Sequence, residues 1–208
     1  MIDLHTLMIF VPIALALNLT PGADMVFCLG QGLRSGPRAG IAASFGISVG
    51  SLIHAAAAGL GLAALIAANP VAFEFIRWAG VIYLVWLAIG TLRAPFTALQ
   101  PAHVAKGSAL TAFRTAIVVN LTNPKVALFI LALVPQFVDP ARGPVFVQFL
   151  AFGAILSIGG TIINGVVGGF AGQIGQMLAR RVILARSLQY ATSFVFLGLA
   201  AKLAFDRR

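Results

Sequence analysis

Acidic residues are scarce: the 208-residue chain has five Asp and Glu against fourteen Lys and Arg, and charged residues make up only 9% of it. A soluble domain of this length carries about a quarter charged residues to keep its surface hydrated, so a soluble globular protein is excluded. With 60% apolar residues, disorder is excluded too. Cysteine is nearly absent as well. The single Cys28 can form neither a disulfide framework nor a cysteine metal cluster, and its apolar neighbours make it a small core residue. The amino terminus, Met1-Ile2-Asp3-Leu4-His5, lacks the basic region of a cleavable signal, so the first apolar run is expected to be a retained span.

What is present is apolar sequence in long stretches. No charge occurs in residues 4–23, 39–73, 78–92, 143–179 or 187–201. A charged residue at a bilayer centre costs roughly 2.5–3.5 kcal/mol on insertion scales, so these stretches mark membrane spans. They lack period-two alternation and exceed the length of a barrel strand, which predicts helices. Spans are expected near 4–30, 40–67, 71–93, 111–135, 145–176 and 187–205. Gly36-Pro37, Asn69-Pro70, Pro95, Pro101, Asp139-Pro140 and Gly143-Pro144 provide the breaks between them. The fold class is therefore an all-α polytopic membrane protein of six transmembrane helices in a single domain.

The surplus of bases would suit a nucleic-acid partner if it lined one face, but it lies in short clusters between apolar runs, and no nucleic-acid partner is expected. Positive-inside topology explains the clusters more simply. With the amino terminus outside, Arg34, Arg38, Arg93, Lys106, Arg114, Arg180, Arg181 and Arg186 fall inside. Arg77, Arg142, Lys202, Arg207 and Arg208 fall outside, and Lys125 lies within a span. The bias puts both termini outside.

Two segments resemble each other: Asn18-Leu19-Thr20-Pro21-Gly22-Ala23-Asp24 in the first span and Asn120-Leu121-Thr122-Asn123-Pro124-Lys125 in the fourth, offset by 102 residues. Three spans per half invert the second copy. The chain then reads as two inverted three-helix repeats, 1–94 and 111–208, joined by an inner loop at 95–110, an architecture that places a transporter's site where broken helices meet at the midplane. Inside a helix, Pro21 would leave the carbonyl of Leu17 without its usual donor, and Pro124 that of Asn120. Such carbonyls persist in a membrane only in protein or beside a polar cavity, which Asn18, Thr20, Asn120, Thr122 and Asn123 could line, with Gly22 adding backbone freedom. Asp24 and Lys125 are the ionisable residues deepest in the spans, one per repeat and of opposite sign, and intramembrane charge marks function by default. Taken singly, each feature has a structural explanation: a packing kink at the prolines, or an ion pair that locks two helices. Their occurrence in matching positions favours a substrate-binding site. Imidazole is the side chain suited to shuttling protons near neutral pH, which makes His54, with Asp24, a candidate for coupling to protons, although a lone histidine is more often a helix contact.

These residues resemble the LysE/RhtB family of amino-acid exporters. The resemblance covers nearly the whole chain and rests on Thr20-Pro21-Gly22, Gly46 through His54, Ala79-Gly80 with Tyr83-Leu84, Asn120 through Lys125, and Pro135-Gln136-Phe137. It implies a six-span exporter of amino acids or related metabolites in the inner membrane, driven by protons and assembled as a homodimer. No cofactor and no resident metal are expected. Two positions depart from the family pattern: Ser51, where members commonly have an acid, and Ala23, where they have proline. With Glu74 the nearest acid to Arg77 and few carboxylates elsewhere, a neutral amino acid suits this chain better than lysine or arginine. The alternatives are export of a metal ion or toxic compound, against which the few oxygen anions argue, and a membrane subunit without transport activity. An enzyme is disfavoured by the absence of paired intramembrane acids and of His-x-x-x-His spacing.

Overall fold

A computed structural model describes residues 2–68, 72–93, 106–174 and 182–205, and among these all regular structure is helical. The elements are α1 (Leu4–Leu19), α2 (Ala23–Ser35), α3 (Pro37–Ala68), α4 (Ala72–Arg93), α5 (Ala109–Leu121), α6 (Pro124–Ala132), α7 (Val145–Gly169) and α8 (Val182–Phe205). Two short 3-10 turns, Val134–Phe137 and Pro140–Arg142, lie between α6 and α7. Local sequence explains most ends. Asp3 caps α1 by accepting from the Thr6 amide at 2.7 Å, and Ser108 caps α5 by accepting from that of Thr111 at 3.2 Å. Gly36, at φ 90°, turns the chain out of α2, and Pro37 opens α3, where its missing N–H is no loss.

The expected first span is two helices, α1 and α2, meeting at 53°, and the expected fourth is likewise broken, with α5 and the α6 segment meeting at 54°. Elsewhere the differences are at span ends. Helix α7 ends at Gly169, a turn follows at Phe170 and residues 171–174 are again helical, while the described part of α8 includes Val182 to Arg186, so the exposed Arg186 is carried on the helix without interrupting it. Two helices are long and apolar enough to cross a membrane, Pro37–Gly61 and Val145–Gly169, and each bent pair passes the same test as one span. The described residues thus carry two to four candidate spans by that measure, where the sequence led to six. The expected breaks at Asn69-Pro70, Pro95 and Pro101, most of the 95–110 loop, the bases Arg180, Arg181, Arg207 and Arg208, and the side chains of Glu74, Arg77 and Lys202 lie outside the described residues.

Helix α3 is the spine. It packs along α7 and α5 and touches α2; α4 pairs with α8 and reaches α6, while α1 touches α7 and α8. Lipid tails are as apolar as leucine, so this association depends on close packing and interhelical hydrogen bonds rather than on escape from water. Both are present between α3 and α7. A Cβ on Gly168 would lie 2.7 Å from the backbone carbonyl group of Gly40, and one on Gly153 would run into Ala55. Ser48 Oγ donates to the Ser157 carbonyl at 3.0 Å, bonds the Thr161 hydroxyl, and receives an answering bond from Ser157 Oγ to the Ser48 carbonyl at 3.3 Å. Farther along, Phe10, Phe129, Phe149, Phe152 and Phe196 are fully buried, with Phe10 and Phe152 ring centroids 4.6 Å apart. Outward lie Met8, Ile82, Trp86, Ile158 and Phe194, an apolar surface suited to lipid.

The glycine contact gives a direct check on the packing. Gly168→Leu would push α3 from α7 and is expected to lower stability by about 1–3 kcal/mol or more. Gly172→Leu, where an added Cβ meets nothing within 4 Å, is expected to be nearly neutral, both read by thermal unfolding in detergent.

Candidate functional site

Both breaks come from the same local chemistry. At the first, Pro21 pushes Thr20 into extended backbone (ψ 120°), so α1 ends at Leu19; Gly22, extended itself, precedes α2. At the second, Asn123 caps α6 by accepting from the Lys125 amide at 3.0 Å, and Pro124 sits in the first helical position, where proline is well accommodated. Ala23, the departure from the family pattern, likewise opens α2. Pro12, by contrast, lies inside α1 without breaking it.

Each break leaves a helix carboxyl end, carrying partial negative charge, beside a helix amino end, carrying partial positive charge. Asp24, in the first turn of α2, suits its own helix. Lys125, in the first turn of α6, does not, and its side chain leaves for the end of α1. There its ammonium donates to the carbonyls of Leu17 at 2.7 Å and Thr20 at 2.6 Å. The Leu17 carbonyl, expected to be orphaned by Pro21, thus receives a charged donor from the other half of the chain besides a turn bond from the Thr20 amide at 3.2 Å. The carbonyl of Asn120, besides a turn bond from the Asn123 amide, accepts from His54 Nε2 at 3.3 Å. Asn120 Nδ2 donates to Asp24 Oδ2 at 2.9 Å, and Ser51 Oγ donates to Asn120 Oδ1 at 3.4 Å. Asp24 and Lys125 form no direct ion pair. The lysine prefers the two carbonyls, which are stationary and convergent.

Asn18, Thr20, Gly22, Asp24, Asn123 and Lys125 line one cavity, with Asn164 of α7 on its far wall. Its water-sized space is about 20 Å³, by the measure on which one water needs about 10–15 Å³, so it holds a water or two and no amino acid in this conformation. Asn120 and His54 stand behind Asp24, and Pro21 and Pro124 shape the backbone without lining the cavity. Thr122 is placed elsewhere: it is exposed and its hydroxyl turns back to the carbonyls of Val118 and Val119. Asn18 reaches from α1 to the Leu156 carbonyl of α7 at 3.0 Å, into space left by Gly159 and Gly160.

Two contributors escaped the sequence reading. Asn164 is the lone asparagine of the uncharged 143–179 run, and that isolation was the available signal. Tyr83 donates its hydroxyl to the Lys125 carbonyl at 2.8 Å, fixing the first turn of α6 from α4; the sequence reading had it only within the Tyr83-Leu84 pair of the family resemblance, with no role at the site. Gly46-Ile47-Ser48-Val49-Gly50 spells the Gly-x-Ser-x-Gly pattern of a hydrolase nucleophile, but it lies mid-helix in α3, where Ser48 is bound to α7 and no strand-to-helix turn exposes it.

An all-helical membrane protein in which two broken helices enclose opposite charges around a small polar cavity has the form of a transporter, not of an enzyme. The sequence pattern of LysE type translocators matches residues 15–207, and the chain belongs to that family. It is 35% identical over 205 residues to a protein of Vibrio cholerae called an uncharacterized membrane protein, covering 97% of this chain and 98% of the relative. It is 36% identical over 137 residues to a homoserine/homoserine lactone efflux protein of Salmonella typhimurium, covering 66% of each. A leucine efflux protein of Klebsiella pneumoniae is 31% identical over 196 residues, covering 92% of this chain and 91% of the relative. No solved structure matches.

The lysine bridge has a measurable consequence. Lys125→Met leaves the Leu17 and Thr20 carbonyls without their charged donor, and stability is expected to fall by about 1.5–3 kcal/mol in detergent unfolding. Lys125→Arg should retain part of it; equal stability of all three proteins would contradict the bridge.

Proposed function

We propose that the chain exports amino acids, neutral ones in preference, across the cytoplasmic membrane by proton antiport and alternating access. The architecture proposed for it is six spans in two inverted three-helix repeats, 1–94 and 111–208, with the 95–110 loop inside. The observation that carries the reading is the meeting of the two breaks at one cavity, where Lys125 from one half holds the helix end of the other. The packing pattern supports the repeat. Helix α3 lies on α7 and α4 on α8, pairs that a pseudo-two-fold maps onto themselves, while the contact of α1 with α7 answers that of α5 with α3, and the contact of α2 with α7 answers that of α6 with α3.

An amino acid is a zwitterion, and the site has a partner for each end. The substrate ammonium competes for the carbonyls of Leu17 and Thr20 and for Asp24. Lys125, released from those carbonyls, is then free to receive the carboxylate, aided by the amino end of α2. The exchange keeps the site electrically balanced, since a net-neutral substrate enters beside one acid and one base. A cationic side chain would need a further carboxylate. Ser51, buried behind Asp24, is a hydroxyl where the family commonly has an acid, and this supports the neutral preference. Breaking the lysine bridge frees the two halves to rock about the α3–α7 contact, which is the alternating step. Asp24 is the proposed proton carrier: loaded with a proton on one side and relieved of it on the other, it couples the gradient to that step, with His54 reaching it through Asn120.

In proteoliposomes holding the purified protein, counterflow of labelled leucine, homoserine and threonine is the expected activity, exceeding that of lysine. Asp24→Asn is expected to flatten the pH dependence of flux while leaving substrate exchange at a fixed pH measurable. A pH profile identical to that of the unaltered protein would remove Asp24 as the proton carrier, and absence of flux for the whole panel would remove the export reading.

A further inference from the structure

Among the described residues, two buried side-chain atoms capable of hydrogen bonding have no partner: Asp24 Oδ1 and Asn164 Oδ1. They belong to residues on different helices, α2 and α7, yet both residues line the same cavity. Asn164 is only 3% exposed, so its oxygen has no access to bulk solvent as an alternative. A buried acceptor left unpaired forfeits its hydrogen bonds to water, and two such acceptors on residues that line one cavity are a local demand for a donor. The Asn120 amide is spent on Asp24 Oδ2 and the Lys125 ammonium on the Leu17 and Thr20 carbonyls; the Asn123 side-chain amide also faces the Asp24 carboxylate, while Asn164 Oδ1 has no donor.

We infer that Asn164 is a substrate-contacting residue, and that its Oδ1 and Asp24 Oδ1 together form the subsite for the primary ammonium of the transported molecule. The inference rests on the export reading above and extends it to a third helix. The chemistry is selective. With Asp24 ionised both atoms are acceptors, so a ligand that binds them in that state must donate, which excludes a carboxylate or phosphate at this wall. A primary ammonium has three N–H donors in tetrahedral directions and can serve these two oxygens and one of the carbonyls that Lys125 now holds. A hard metal ion would need six or more oxygens, well beyond this set. The subsite also assigns α7 a reason to sense occupancy. Asn164 lies between Gly160, against Asn18, and Gly168, against Gly40, so a ligand drawing Asn164 toward Asp24 acts on the same helix that bears the α3 and α1 contacts.

The test uses the full-length protein in proteoliposomes and two probes that divide leucine in half: isoamylamine, with the ammonium alone, and 4-methylpentanoate, with the carboxylate alone. Each is measured as a competitor of the fastest-transported amino acid of the panel. Asn164→Leu is expected to raise the KM for that amino acid and the inhibition constant of isoamylamine by about tenfold or more, from the loss of one hydrogen bond to a charged donor. The inhibition constant of 4-methylpentanoate is expected to stay within about twofold, well inside one tenfold step of 1.4 kcal/mol. If Asn164→Leu does not yield folded protein, Asn164→Asp decides, since it keeps the acceptor: isoamylamine should compete at least as well as in the unaltered protein. Unchanged isoamylamine competition in Asn164→Leu, or weakening of both probes alike in either variant, overturns the subsite while leaving export standing. Absence of flux for every amino acid of the panel in the unaltered protein overturns the export reading, and the subsite with it.

Discussion

The structure turns on a buried ammonium. Breaking a helix in a membrane exposes carbonyls that lipid cannot satisfy, and here the two freed at the end of α1 are bound by Lys125, which comes from the other half of the chain. The charge is at the unfavourable end of its own helix and the favourable end of α1. The lysine therefore serves the fold by spanning the break, and in the proposed cycle the substrate's ammonium takes its place on the same oxygens.

Around that contact the remaining elements have separable duties. The glycines and hydroxyls between α3 and α7 hold the central pair close enough for α1 to reach α7 through Asn18. Tyr83 anchors the first turn of α6, and so the origin of the lysine side chain, from α4. Asp24 is kept apart from Lys125 by being committed through one oxygen to Asn120, which is itself tied to Ser51 and, through its carbonyl, to His54. Two opposite charges share a cavity without neutralising each other. That separation leaves both available to a zwitterion.

Much of this was legible because polar residues stand out against an apolar background. The breaks were visible as Thr-Pro-Gly and Asn-Pro, and their carbonyl orphans follow from proline alone. What could not be read was reach. The sequence offers Asp24 and Lys125 as an opposite pair, but not that the lysine takes carbonyls instead, because that depends on the 53° bend presenting the end of α1 to it. Thr122 looked equivalent to Thr20, and both hydroxyls turn back onto their own helices, yet Thr20 is buried at the cavity and Thr122 is exposed, a difference that spacing does not reveal. Asn164 carried no motif, since only the packing of α7 brings it to the cavity that the residues of the breaks line. Span ends moved because an exposed arginine such as Arg186 can ride on a helix, so a charge marks a boundary less sharply than an apolar run marks an interior.

The most direct test of the central claim is whether a transported amino acid displaces Lys125 from the end of α1. The chain has three lysines, so ¹⁵Nζ labelling with ¹³C-labelled threonine carbonyls gives a sparse solid-state NMR experiment in lipid, with Lys125→Met to assign the signal. The account predicts dipolar contact between the Lys125 ammonium and the Thr20 carbonyl in the ligand-free protein, lost on saturation with a transported amino acid. A contact absent without substrate, or unchanged at saturation, would contradict it.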